Sequence, residues 1–291
     1  MTAVITIRGL TKSYGGRAAV DSLDLEVTRG EIFALLGPNG AGKTTTVEIL
    51  EGFRRRDGGE VDVLGADPGK ADRAWRNRIG IVLQSSGGLD LLTVREVLHG
   101  TARAYSAPRG VEEVIGDVGL GDKADARISG LSGGQRRRLD VALGIVGRLE
   151  LLFLDEPTTG FDPQARRDFW ELIRTLGGAG GTTILLTTHY LDEAEQLADR
   201  VGVIAGGRML ALDSPGRLGG RDSEEATVSW DEGGVRRSLR TAHPTAEVQR
   251  VAQRFGGEVP GLVVSRPSLE ETYLSLIGPH VERVTTEVMS P

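Results

Sequence analysis

The chain has 291 residues, 39% hydrophobic and 26% charged, with a net charge of −6 and no cysteine. That length can bury a full core in one large domain or two smaller ones, and the composition is that of a globular protein. The acidic balance argues against a protein that coats nucleic acid, and the lack of cysteine excludes disulfides and thiol chemistry. No apolar run reaches the ~20 residues of a membrane-spanning helix. No secretory signal pattern opens the chain, so a cytoplasmic location is expected, with any membrane spans supplied by another polypeptide.

Val4 to Leu10 and Leu23 to Val27 alternate apolar and polar residues and read as strands joined through Tyr14-Gly15-Gly16. Tyr14 is either ordinary packing or an aromatic face for a base. Ile32 to Leu36 is an apolar run, read as a buried parallel strand. It leads into Gly37-Pro38-Asn39-Gly40-Ala41-Gly42-Lys43-Thr44, with Thr45 behind, which has the spacing of a phosphate-cradling loop. Glycines let backbone N–H groups converge on phosphate oxygens, and the helix that begins here adds partial positive charge. Lys43 is expected to reach the β- and γ-phosphates of a nucleoside triphosphate, and the Thr44 hydroxyl a Mg²⁺ ion.

A short strand is expected near Glu60 to Leu64, and a buried one at Ile79 to Leu83 that ends on Gln84. Gln84, before Ser85-Ser86-Gly87-Gly88, marks a site edge or a hinge, or is a plain strand end. Thr93-Val94-Arg95-Glu96 is a capping box, and residues 94 to about 126 read as mostly helical, broken at Pro108-Arg109-Gly110. Ser132, in Leu131-Ser132-Gly133-Gly134-Gln135, is placed to cap a helix whose buried stripe is Leu139, Ala142, Leu143 and Val146. The triplets Arg54-Arg55-Arg56 and Arg136-Arg137-Arg138 read as solvated faces. Ser-Gly-Gly at a helix start is a second anion-binding terminus, and one triphosphate does not need two in one subunit. The surplus points to a site shared between two subunits.

Leu151 to Leu154 is a fully apolar strand that delivers Asp155 and Glu156 at the edge where ligands of parallel sheets sit. Two successive acids can divide the holding of Mg²⁺ and the acceptance of a proton from attacking water. Thr182 to Thr188 ends on His189 at the same edge, and a helix over 191–198 and strands over 201–204 and 209–212 follow. Residues 219–225 look like a linker. Beyond them come strands over 226–230, 235–239 and 262–264, a helix over 246–255, and a second capping box at Ser268 to Glu271. This is a small α+β module.

Taken together in this order, these motifs resemble the ATP-binding cassette ATPases, the nucleotide-binding subunits of ABC transporters, over about residues 3 to 213. The resemblance implies an α/β fold: a P-loop NTPase core with an antiparallel β subdomain and a helical subdomain, plus the small C-terminal α+β module. The nucleotide-binding domain is expected over 1–218, with its helical subdomain over about 85–140, and the accessory module over 219–291. The resemblance also implies that Tyr14 stacks on adenine with Val20 near the ribose. Gly37, Asn39, Gly40, Ala41, Gly42, Lys43, Thr44 and Thr45 would hold ATP, and Thr44, Gln84 and Asp155 would hold Mg²⁺. Lys43, Gln84, Glu156 and His189 would form the catalytic set, with Glu156 as the general base and His189 at the γ-phosphate. Ser132, Gly133, Gly134, Gln135 and Asp162 would serve ATP bound to the other copy of a homodimer. Gly160-Phe161 departs slightly from the family's usual loop before that aspartate.

Glu48 to Phe53, Thr188 to Ala194 and Ser268 to Tyr273 resemble drug-exporter ATPases of the daunorubicin/doxorubicin resistance type. That resemblance implies a separate ABC-2 type transmembrane permease, a position on the inner face of the cell membrane, and efflux of a drug or other hydrophobic natural product. An importer, a lipid or polysaccharide exporter, and a soluble ATP switch in translation or DNA repair are the alternatives.

Overall fold

The computed structural model describes residues 2–82, 90–179, 181–221 and 225–288. In chain order its elements are β1 (Ala3–Tyr14), β2 (Arg17–Thr28), β3 (Ile32–Leu36), α1 (Lys43–Leu50), β4 (Gly58–Val63), α2 (Arg73–Arg76) and β5 (Ile79–Val82). Then follow α3 (Val94–Ala102), α4 (Val111–Asp117), α5 (Gly133–Ile145), β6 (Leu151–Asp155), α6 (Pro163–Arg174), β7 (Thr183–Thr188) and α7 (Leu191–Leu197). The chain continues through β8 (Arg200–Ala205), β9 (Arg208–Asp213), β10 (Ala226–Glu232), β11 (Val235–Thr241), α8 (Pro244–Phe255), β12 (Val263–Ser265) and α9 (Leu269–Val288). It divides into two compact units, Met1–Leu210 and Ala211–Pro291.

In the first unit a six-stranded sheet has the order β5-β6-β7-β3-β8-β9, parallel from β5 through β8. β3 lies between β7 and β8, which is why all five of its residues are buried and its sequence shows no polar alternation. A second, antiparallel sheet has the order β2-β1-β4, in register at Ile5↔Val27 and Ile7↔Leu25. Its apolar residues share one core with Phe33, Leu35, Ile49 and Leu50. Both strands of its hairpin run further than their periodicity predicts, because pairing continues to Tyr14↔Arg17 through register shifts that break the alternation.

Helices cover the region between the strands. Thr93 and Glu96 exchange backbone and side-chain hydrogen bonds as a capping box, and α3 buries Val94, Val97, Leu98 and Ala102. The helical run expected to about residue 126 is more broken than expected: α3 ends at Ala102, α4 at Asp117, and short 3₁₀ turns follow. α5 also differs from expectation. Leu143 is half-buried, whereas Arg137, Val141, Gly144 and Ile145 are buried, so the covered face is wider than one stripe.

The second unit is an antiparallel sheet of order β11-β10-β12 with α8 and α9. Val228 and Trp230, on one face of β10, form a small core with Val251 and Val259. α9 starts at the Ser268/Glu271 capping box, and Leu269 is 1% exposed. Leu218, on a 3₁₀ turn, is fully buried, so the stretch that reads as a linker begins inside this unit.

Candidate active site

The phosphate loop spans the gap between β3 and α1, and its glycines are dictated by close approach. A Cβ on Gly42 would stand 2.3 Å from the Ala19 carbonyl oxygen, in a backbone at φ +105. One on Gly37 would stand 2.3 Å from the Ile204 carbonyl oxygen. The loop is braced from behind: Gly207 N donates to Ala41 O at 3.0 Å, and Asp21 N to Gly207 O at 2.9 Å. Val20 belongs to this brace. It is fully buried with its side chain behind Gly42, so it does not offer a surface to a ribose as expected.

Gly42 is the N-cap of α1 and no side chain caps the helix, so its first turn is left for an anion. Lys43 is 7% exposed, and its ammonium donates to the carbonyls of Gly37 at 2.7 Å and Pro38 at 3.3 Å. Burial pushes its pKa below the ordinary lysine value, against the pull of Glu156 and Asp155. Asn39, Gly40 and Thr44 are exposed, Gly42 and Thr45 are half-buried, and Ala41 is buried.

At the end of β6, Asp155 accepts a hydrogen bond from the Thr187 hydroxyl on neighbouring β7. Glu156 has φ +43, held where its N–H donates to Thr187 O at 3.1 Å and lies 3.2 Å from Thr187 Oγ1. His189 leaves β7 so that its Nδ1 stands 3.2 Å from Glu156 Oε1. With Nδ1 on Glu156, Nε2 is the ring's other polar atom. The ring lies against Tyr190, with centroids 4.1 Å apart, and Arg166 covers Tyr190 in turn. Lys43, the consecutive Asp155 and Glu156, and His189, from three separate stretches of the chain, therefore meet at one sheet edge.

Tyr14 is 43% exposed at the end of β1, with Lys12 and Arg54 each over its ring. Ser132 and Gln135 cap α5 reciprocally: Gln135 N donates to Ser132 Oγ at 3.2 Å and Ser132 N to Gln135 Oε1 at 3.0 Å. A Cβ at Gly133 would meet nothing within 4 Å, so packing within the subunit does not require that glycine. Gly134 faces Ala165. Asp162 caps α6, its Oδ1 accepting from Gln164 N and Ala165 N, both at 2.9 Å. Gln84 lies outside the described residues.

Sequence reasoning missed three residues. Thr187 orients both acids. Glu193 is fully buried on the inner face of α7, where Trp170 Nε1 lies 3.4 Å from its Oε1, and burial raises its pKa. Arg137 corrects the reading of its triplet as a solvated face: it is 6% exposed and binds backbone carbonyls at the end of β6. Its signal was the spacing to Val141, Gly144 and Ile145, which places it on the buried face of α5.

The family model described as ABC transporter matches residues 20–159. The daunorubicin/doxorubicin resistance ATP-binding protein DrrA of Streptomyces peucetius is 39% identical, the alignment covering 98% of this chain and 96% of that protein. This chain is an ATP-binding subunit of the ABC transporter family. The Nod factor export ATP-binding protein I of Rhizobium sp. (strain N33) is also 39% identical, over 96% of this chain and 98% of its own length. The solved structure of an ATP-binding subunit of an ABC transporter superposes with a TM-score of 0.68 at 22% identity, covering 94% of this chain and 99% of that one. The architecture is thus the P-loop NTPase core of ABC ATPases, with its β and helical subdomains. ABC ATPases bind and hydrolyse ATP, and ABC ATP-binding subunits work as dimers coupled to a membrane permease. No helix among the described residues is long and apolar enough to cross a membrane.

Proposed function

We propose that this subunit powers export of a drug or other hydrophobic natural product through a separate ABC-2 type permease on the inner face of the cell membrane. Two copies close head to tail around two ATP molecules. The observation that carries the reading is the His189–Glu156 pair, held opposite Lys43 at the sheet edge while the Ser132 helix start is occupied only with its own cap.

In this reading Lys43 exchanges the Gly37 and Pro38 carbonyls for the β- and γ-phosphates, and the open first turn of α1 completes the cradle. Tyr14 supplies a stacking face for adenine. The oxygen donors fit Mg²⁺: the exposed Thr44 hydroxyl and the Asp155 carboxylate would hold it, with Gln84 as the third expected ligand. When bound, the ion neutralises phosphate charge. Glu156 accepts the proton of the attacking water, oriented by His189, whose Nε2 is the group available to the γ-phosphate. Ser132, Gly133, Gly134 and Gln135 meet the γ-phosphate of the partner's ATP, and Asp162 lies on the loop between the sites. ATP binding draws the two faces together, and loss of the γ-phosphate removes the charge that joins them. Residues 219–291 form an accessory module.

Glu156→Gln tests the base: ATP binding is retained, turnover falls by about 10²–10⁴-fold, and a dimer is trapped with ATP. Parental hydrolysis by this variant, measured as phosphate release, would reject the assignment. Relatives of equal identity carry the names of daunorubicin resistance and Nod factor export. The second cargo class is therefore the one named for the Rhizobium relative, and compounds that stimulate the ATPase of the subunit–permease pair separate the two.

A further inference from the structure

We infer that Arg137 is a positioning residue for hydrolysis: it fixes the backbone around Glu156 and ties it to the helix that serves the partner's nucleotide. This rests on the reading of Glu156 as the base and of Ser132–Gln135 as a contact to the other copy.

Arg137 lies on α5, the helix whose start carries Ser132, Gly133, Gly134 and Gln135. Its side chain turns inward, to 6% exposure. There Nε donates to Pro157 O at 2.9 Å and Nη2 to Asp155 O at 3.0 Å. Asp140, on the same helix, stands 3.8 Å from Nη1. The two carbonyls belong to the residues on either side of Glu156, so one planar fork spans the base.

The fork sits where the backbone needs restraint. Glu156 has φ +43, a left-handed conformation that a residue with a Cβ holds only when its surroundings over-determine it. Thr187 O restrains it through the Glu156 N–H, from β7. Arg137 restrains the adjoining carbonyls from α5. A relaxed backbone here would swing the carboxylate off His189 and off the attacking water, and misplacement by about 1 Å costs a reaction about 100-fold.

A buried guanidinium is costly because its charge must leave water, and Asp140 beside it, with Asp155 and Glu193 near, offsets that cost. Its planar fork makes two directed bonds at once, which a lysine point charge does not. The consequence is a rigid connection. When the first turn of α5 closes on the partner's ATP, the shift is carried through Arg137 to the backbone that aims this subunit's own base. Hydrolysis at one site then responds to occupancy of the other.

The test uses the full-length chain with Arg137→Met, which keeps bulk without donors, and Arg137→Lys, which keeps charge and one donor. Steady-state ATPase, ATP affinity by equilibrium titration, thermal unfolding, and ATP-trapped dimer in a Glu156→Gln background are read together. The expected result is a kcat lower by about 100-fold for Met and about tenfold for Lys. ATP affinity should stay within about threefold of the parent and the trapped dimer should be retained. The Hill coefficient for ATP should fall below its parental value but stay above 1, because closure of the dimer still needs both nucleotides. If the Met variant does not fold, the Lys variant decides alone. Parental kcat in the Lys variant, a loss of ATP affinity and melting temperature in step with kcat, or a parental Hill coefficient of 1 would overturn the proposal. Parental turnover by Glu156→Gln would instead remove the base assignment on which it rests.

Discussion

The two halves of the nucleotide site are prepared in different ways. In the half built on β3, β6 and β7, the charged side chains already have protein partners: Lys43 holds loop carbonyls, Asp155 takes the Thr187 hydroxyl, and Glu156 meets His189. In the half at the start of α5, Ser132 and Gln135 are occupied with one another and Gly133 faces open space. In the proposed reading the first half works by exchanging partners, each protein contact giving way to a phosphate or water. In the same reading the second gains its role only when an anion arrives from outside. A preorganised pocket and a helix terminus awaiting its ligand are therefore carried on one subunit, and each is completed by what the other lacks.

The largest expected effect breaks the first half alone. Gly42→Ala places a Cβ 2.3 Å from the Ala19 carbonyl oxygen at φ +105. Left-handed strain and overpacking together cost about 3 kcal/mol, so ATP affinity should fall by about 100-fold in an equilibrium titration. An unchanged affinity would mean that the loop reaches its bound form without this backbone. A smaller effect isolates the second half. Ser132→Ala removes a cap worth about 1 kcal/mol, lowering the melting temperature of this unit by about 2–4 °C. Turnover should fall about tenfold or more while ATP binding to the isolated chain is kept, because in the proposed reading the lost hydroxyl serves the other copy's nucleotide. If the isolated chain loses ATP affinity instead, the contrast between the halves fails.

Much of this contrast was legible in the sequence because it is written in local signals. The loop from Gly37 to Thr44 has fixed spacing, Ser132 and Gln135 form a capping box, and the apolar run 151–154 must be a strand that ends on two acids. His189 could be placed because a second buried strand ends at the same sheet edge. Arg137 was hidden by its neighbours: in a basic triplet each member looks solvated, and only the helical offset to Val141 and Ile145 sets one apart. Val20 was assigned to the ligand side through the resemblance, yet its strand turns it into the core. Thr187 gave no signal, since a threonine at the end of an apolar strand is common and its partners come from another strand. Backbone strain at Glu156 is a tertiary property with no sequence marker.

The smallest expected effect probes the electrostatic cost of crowding acids into the first half. Glu51, at the C-terminal end of α1, is 8% exposed, and burial, with Asp155 and Glu48 adding repulsion, pushes its pKa up from 4.5 to about 8. The folded chain therefore keeps a proton that the unfolded chain releases near pH 4.5. Stability from this group is complete below that pH and drains away as pH rises toward about 8. Glu51→Gln mimics the protonated form at every pH. It should match the parent near pH 5 and melt higher at pH 8.5, by about 2–4 °C for each kcal/mol recovered. A gain of the same size at both pH values would show that the carboxyl is charged throughout.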